Sequence, residues 1–265
     1  MKIIGEKING TRKRVAQAIA EKDVNFIQEL AKKQADAGAD WLDCNAGTHP
    51  DQEPDDLVWL VQNIQKVVDT PICLDSANPK ALSAAIKVVN KTPMINSISG
   101  EPERLSGILP LVAENGCEVI ALAMDEKEIP AKSEARIEVI RKVMAATKAA
   151  GVPDSKVYID PLVMTIATSI TSGTTFFETV RTLHKEFPEV HFTSGLSNIS
   201  FGLPARSFIN RAFMTLAIEA GLDSAIMDPN DRELKSAVYA AELVLGMDKH
   251  CLGYTRAFRA GAFDR

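Results

Sequence analysis

Several chemistries are missing from this 265-residue chain. Its four cysteines (Cys44, Cys73, Cys117, Cys251) form no CxxC, and its four histidines (His49, His184, His191, His250) form neither HxxxH nor HExxH. A zinc site of ordinary spacing is therefore not expected, and neither is any protein-bound metal. No GxSxG elbow and no GxxxxGK[ST] loop occurs, which argues against the serine-hydrolase and P-loop chemistries. No apolar run approaches the ~20 residues that span a bilayer. Basic residues do not dominate: 30 Lys and Arg face 35 Asp and Glu, so a nucleic-acid footprint is not expected. The chain opens directly on the strand-like "MKIIGEKING", too short for a signal peptide. Three cysteines sit within or beside apolar strand-like runs, as small buried hydrophobes would. A reducing cytoplasm is the expected compartment.

What is present is an alternation of period. Short apolar or β-branched runs fall at 2–6, 40–45, 71–75, 93–97, 118–124, 156–160, 191–195 and 223–228, eight in all. Between them lie segments with helical spacing, such as Phe26, Ile27, Leu30, Ala31 and Ala35 in "VNFIQELAKKQADAGAD". Gly38, Gly116, Gly151 and Gly221 each stand where a helix should stop before the next strand. Strands separated by helices cannot be hairpins and need parallel pairing by crossover. No linker or composition break interrupts the pattern, so residues 1–265 read as one domain, an α/β chain folded as a (β/α)8 TIM barrel. A doubly wound open sheet is the runner-up, weakened by the lack of GxGxxG after the first strand.

In such a barrel, function gathers at the C-terminal ends of the strands. There the chain offers Glu6, Asp43, Asn45, Asp75, Asn96, Asp125, Asp160, Asn198 and Asp228. For any one of them the competing reading is a helix cap or turn residue. Together, with few cations expected nearby, they form an acid and amide ring that wants a ligand rich in N–H donors. An aminopyrimidinone edge fits: a carboxylate accepts in parallel from a ring N–H and an exocyclic amino group, and Asn reads a mixed edge. Lys7 is the one nearby amine, and a solvated lysine or a salt bridge to Glu6 is its expected state. The Ser/Thr/Gly-rich segment "TIATSITSGTTFF" (165–177) is expected to be a mobile loop on an apolar-edged rim.

These residues lie in motifs that resemble a known family. "GEKING" near the start, "DCNAG" at 43–47, "CLDS" at 73–76, "MINS" at 94–97, "YIDP" at 158–161 and "GLSNISFGLPAR" at 195–206 look like the pterin-binding methyltransferases. That group comprises the methyltetrahydrofolate:corrinoid protein methyltransferases and the folate domain of cobalamin-dependent methionine synthase, with dihydropteroate synthase a remoter relative. The resemblance implies a dihydropteroate-synthase-like barrel that moves a methyl group between N5 of tetrahydrofolate and the cobalt of a corrinoid held by another protein. It implies that Asp75, Asn96 and Asp160 hold the pterin edge and that Asn198 is the catalytic amide near N5. It also implies that Arg206 faces the outer folate or the partner, with Glu6, Asp43, Asn45 and Ser197 lining the mouth. A homodimer working in one-carbon metabolism, or in demethylation of methoxyaromatics, methylamines or betaines, is implied as well, with the direction of transfer open. After Asn198 the chain reads Ile-Ser-Phe-Gly, nearer the methionine-synthase pattern, which leaves the corrinoid partner open. Two alternatives stand beside this: a dihydropteroate synthase, although "DCNAGTHP" lacks the Gly-Gly-Glu-Ser-Thr expected of one, and a folate-binding barrel without turnover.

Overall fold

A computed structural model describes residues 1–126 and 129–263. The strands are β1 (Lys2–Asn9), β2 (Trp41–Asn45), β3 (Ile72–Asp75), β4 (Met94–Ser99), β5 (Glu118–Leu122), β6 (Val157–Asp160), β7 (His191–Phe192) and β8 (Ser224–Met227). All pair in parallel in the order β7-β6-β5-β4-β3-β2-β1-β8. The ends meet where Ile226 N donates to Ser194 O at 3.0 Å and Gly195 bridges Ile226, so the sheet closes into a barrel.

Helices wrap the outside: α1 (Lys13–Ala20), α2 (Val24–Asp36), α3 (Glu53–Ile64), α4 (Pro79–Ile86), α5 (Pro102–Gly107), α6 (Leu109–Asn115), α7 (Ser133–Ala149), α8 (Ser172–Glu186), α9 (Arg206–Ala220), α10 (Arg232–Val244) and α11 (Leu252–Arg259). The four glycines read as helix stops all have positive φ, Gly116 forming the left-handed cap of α6 at φ 62°.

Strand alternation sorts the side chains into two cores. Outward-facing Leu42, Cys44, Leu74, Ile95, Val119 and Ile159 pack beneath the helices. Inward-facing Ile4, Cys73, Met94, Ile120 and Tyr158 plug the barrel, with Trp41 and Ile226 against them. The same inward rows continue upward into Asp43, Asp75, Asn96 and Asp160. A strand that reads apolar therefore stops on a carboxylate because its top inward position lies above the plug, at the mouth.

Four strand ends differ from the periodicity by two residues or more: β4 runs on to Ser99, β5 stops at Leu122, and β1 and β7 depart furthest. β1 runs past residue 6 to Asn9, with an irregularity in its pairing to β2 between Gly5 and Ile8. β7 keeps only two paired residues of the five expected, because the backbone beyond Phe192 turns toward β8 to close the barrel. At the mouth, Gly10 lies against the β2–α3 loop so closely that an added Cβ would fall 1.9 Å from the Ala46 carbonyl oxygen. Gly10→Ala is expected to lower the melting temperature by roughly 5–10 °C in a circular-dichroism melt, since backbone must move to admit the methyl.

Candidate active site

Four of the acid and amide groups at the strand ends bond to one another. Asp75 and Asn96 are register partners on β3 and β4. Asn45 Nδ2 donates to Asp75 Oδ2 at 3.1 Å, and Asn96 Nδ2 donates to Asp43 Oδ1 at 3.2 Å. Asp160 ends β6 beside Leu122 of β5. The helix-cap reading fails for this group: among the described residues, side-chain caps come from Asp23, Asn78 and Asp231. The turn reading holds in part, since Asp160 Oδ1 accepts from Leu162 N at 2.8 Å and Asp228 Oδ1 from Asn230 N at 2.9 Å.

Burial sets the electrostatics. Asp160 is buried, and loss of water pushes its carboxyl up to about 6, against the pull of the Leu162 N–H. Burial likewise raises Asp75 to about 6, with the Asn45 amide pulling it back. Asp43, 3% exposed, is driven well above the ordinary carboxylate range, first by burial and then by the Asp75 charge. Like charges so near cannot both ionise cheaply, and the Asp75 charge adds to the rise that burial imposes on Asp43. The Asn45 Oδ1 is buried without a protein partner, one more acceptor left for a ligand.

Cations are more frequent at this end than the sequence reading expected. Lys7 Nζ pairs with Asp228 Oδ2 at 2.5 Å, not with Glu6. Glu6 instead takes Arg12 at 3.0 Å, and Arg104 binds Glu101 at 2.6 Å. Burial resists the charge on Asp228, but Lys7 and the Asn230 N–H hold its carboxyl below the usual range. The Lys7 pair was hidden because its partner follows β8, far along the chain; the Arg12 and Arg104 pairs are local, three to six residues apart. Each is spent on a neighbouring carboxylate, so the deep acids keep their demand for donors.

Asn198 lies in the 3-10 turn Leu196–Ser200 after β7 and is exposed at the mouth. Its turn is fixed from both sides by buried Leu196 and Ile199. A Cβ at Gly195 would meet Asn198 Nδ2 at 3.4 Å, so the glycine leaves room for the amide to fold back over the strand end. Arg206 begins α9 and is turned toward the same loop. Its Nε donates to Ser200 Oγ at 2.9 Å, its Nη2 to the Ser197 carbonyl at 2.5 Å, and its guanidinium stacks over Phe201 at 5.9 Å.

The segment 165–177 is only half a loop. From Ser172 onward it is the start of α8, and the remainder is tied to the Asn198 turn by Ile166 N to Ile199 O at 3.0 Å and Thr165 Oγ1 to Phe201 O at 2.6 Å. One residue escaped the sequence reading altogether. Arg136 on α7 is 1% exposed and donates to the main-chain carbonyls of Pro130, just before α7, and of Pro161 and Leu162, just after β6. The available signal was its place on the apolar stripe of α7, in helical register with Ile140, Val143 and Thr147. Among the described residues, no cluster of three or more His, Cys, Asp or Glu is arranged to hold a metal ion. Asp125, expected at the mouth, has interactions of its own.

The family profile described as "Pterin binding enzyme" matches residues 5–228. A methylcorrinoid:tetrahydrofolate methyltransferase of Eubacterium limosum is 40% identical over 263 residues, 98% of this chain and 97% of that relative. A methionine synthase of Mycobacterium tuberculosis is 34% identical over 238 residues, 85% of this chain but 20% of its own length. Among solved structures, the DHPS of Yersinia pestis superposes with a TM-score of 0.70 at 17% identity, covering 93% of this chain and 94% of that one. The dihydropteroate synthase of Xanthomonas albilineans gives 0.66 at 18% identity, covering 92% of each chain. At such identities the two structures speak for the fold alone.

Proposed function

Because the chain belongs to the family of pterin-binding enzymes, we propose that it is a methyltransferase working between the cobalt of a corrinoid carried by a partner protein and N5 of tetrahydrofolate. The observation that carries this reading is that Asp75, Asn96 and Asp160, none of them a helix cap, face inward on three strands of one barrel mouth. Asp160 and Asp75 supply accepting oxygens for the ring N–H and amino group of a pterin, and Asn96 supplies an amide for its mixed edge.

The direction we favour is from methylcorrinoid to tetrahydrofolate. The N5 lone pair attacks the methyl carbon, the carbon–cobalt bond breaks, and cobalt keeps that electron pair as cobalt(I). The proton displaced from N5 leaves to water at the open mouth. Asn198 has no titratable proton, so its part is electrostatic: its amide holds N5 by a hydrogen bond as charge on that nitrogen changes. In the reverse direction the same bond eases departure of a tertiary amine. The carboxylates orient the ring so that one face of N5 meets the corrinoid.

The test is anaerobic visible spectroscopy of methylcobalamin with tetrahydrofolate. Loss of the methylcobalamin spectrum together with formation of 5-methyltetrahydrofolate supports the reading. Product from p-aminobenzoate and a pterin pyrophosphate without corrinoid would make the chain a dihydropteroate synthase. Pterin affinity with no spectral change would make it a binding barrel.

Two finer features belong to the same reading. We assign self-association to the apolar groove of about 450 Å³ between α8 and α9, where Ile170 is 92%, Phe208 68% and Leu216 50% exposed. Such a surface is larger than isolated exposed side chains would make. Wild-type protein is expected to be dimeric in light scattering and Leu216→Arg monomeric; a monomeric wild type would refute the assignment. Residence in the cytoplasm fits the unpaired thiols of all four cysteines, and no helix among the described residues is long and apolar enough to cross a membrane.

A further inference from the structure

One peptide group in the β6–α8 loop is held at both ends. The unit joining Pro161 to Leu162 offers its carbonyl to Arg136 Nη1 at 3.0 Å, and its N–H donates to Asp160 Oδ1 at 2.8 Å. The same nitrogen of Arg136 also donates to the Leu162 carbonyl at 2.5 Å, while Nε donates to Pro130 O at 2.8 Å. Leu162 sits at φ 62°, a left-handed conformation that a non-glycine residue adopts only when its surroundings impose it.

Arg136 is buried, and among the described residues it forms no ion pair; all three of these acceptors are main-chain carbonyls. A buried guanidinium is a costly way to fill space, since an apolar side chain of similar length does so without desolvating a charge. Its placement makes sense through what lies on the far side of the peptide. We propose that Arg136 is a positioning residue for the pterin: through the Pro161–Leu162 peptide it fixes the orientation of the Asp160 carboxylate and sustains its negative charge. The peptide acts as a polarised link, cation to carbonyl at one end and N–H to carboxylate at the other, each bond strengthening the next. Burial raises the Asp160 carboxyl to about 6, and both the Leu162 N–H and the Arg136 charge oppose that rise.

The inference rests on Asp160 being a pterin-edge acceptor, and the experiment separates the two claims. Steady-state methyl transfer from methylcobalamin to tetrahydrofolate and equilibrium tetrahydrofolate binding are measured from pH 5 to 8.5 for wild type, Arg136→Met, Arg136→Lys and Asp160→Asn. Arg136→Met is expected to raise KM and Kd for tetrahydrofolate about tenfold or more. Its kcat should stay within about threefold of wild type, with KM for methylcobalamin unchanged. The acid limb of kcat/KM for tetrahydrofolate should move up by about half to one pH unit as a stabilising charge is lost. Arg136→Lys keeps a cation but not the fork, so it should restore most of the pH profile and only part of the affinity.

If Arg136→Met does not fold, Arg136→Lys decides by that same split. A loss spread equally over kcat and both KM values, with no movement of the acid limb, would make Arg136 merely structural and overturn the proposal. Wild-type tetrahydrofolate affinity in Asp160→Asn would instead remove the reading of Asp160 on which the proposal stands.

Discussion

Asn198→Ala is expected to lower kcat for methyl transfer roughly 10²–10³-fold while tetrahydrofolate binding stays within a few-fold of wild type. The reasoning starts from position. Asn198 is exposed, in a turn whose stability comes from Leu196 and Ile199 buried on either side and from Arg206 bonded to the Ser197 carbonyl. Truncating it therefore removes a functional group without a cavity. On the proposed reading, ground-state affinity comes from the carboxylates and Asn96, which the substitution leaves in place. The cost then appears where N5 changes charge, which separates kcat from Kd. Single-turnover absorbance at the methylcobalamin band together with a binding titration measures both quantities. Transfer at the native rate in Asn198→Ala would dismiss the role.

Asp160→Asn carries the second large effect, and it has opposite signs for binding and for stability. For binding, the amide keeps an oxygen for the Leu162 N–H but turns an –NH2 toward the ligand's own donors. Affinity for tetrahydrofolate should fall roughly 100-fold or more, the scale of losing a charge-assisted pair and leaving donors unmatched.

For stability, the ligand-free protein should gain. The Asp160 carboxyl is raised by burial from the ordinary 3.8 to about 6, so between those values the folded state holds more protons than the unfolded one. Stability contributed by the protonated form is present below pH 3.8 and lost as pH rises through 6. At pH 7 the ionised, buried carboxylate costs up to about 3 kcal/mol. Asparagine removes that cost, so Asp160→Asn should melt several degrees higher at pH 7, with the advantage vanishing near pH 4. Melts of the two proteins across that range check the sign. A variant that is less stable than wild type at pH 7 and no worse at binding would contradict both halves.

Much of this site was legible in the sequence because strand alternation is simple. In "WLDCN" the residues Trp41, Asp43 and Asn45 must share a face, and so must Cys73 with Asp75, Met94 with Asn96 and Tyr158 with Asp160. Once eight strands and parallel closure are inferred, those polar ends converge without further information. The Lys7–Asp228 pair was not legible, since it closes across 221 positions of chain and nothing local marks the partner. The irregularity in β1 and the brevity of β7 were also hidden, because both depend on pairing with strands distant in the chain. Arg136 was missed for a different reason. An arginine in a helix of mixed composition reads as solvated, and only its register with Ile140 and Val143 betrays its burial.

The most direct measurement is an equilibrium titration of 6-methylpterin against its lumazine counterpart, in which an oxo group replaces the 2-amino group. If Asp75, Asn96 and Asp160 read the donor edge of a pteridine, the pterin binds at least about 100-fold more tightly, because the lumazine leaves a buried carboxylate facing an acceptor. That preference should collapse in Asp160→Asn. Equal affinity for the two rings in the wild-type protein would contradict the account.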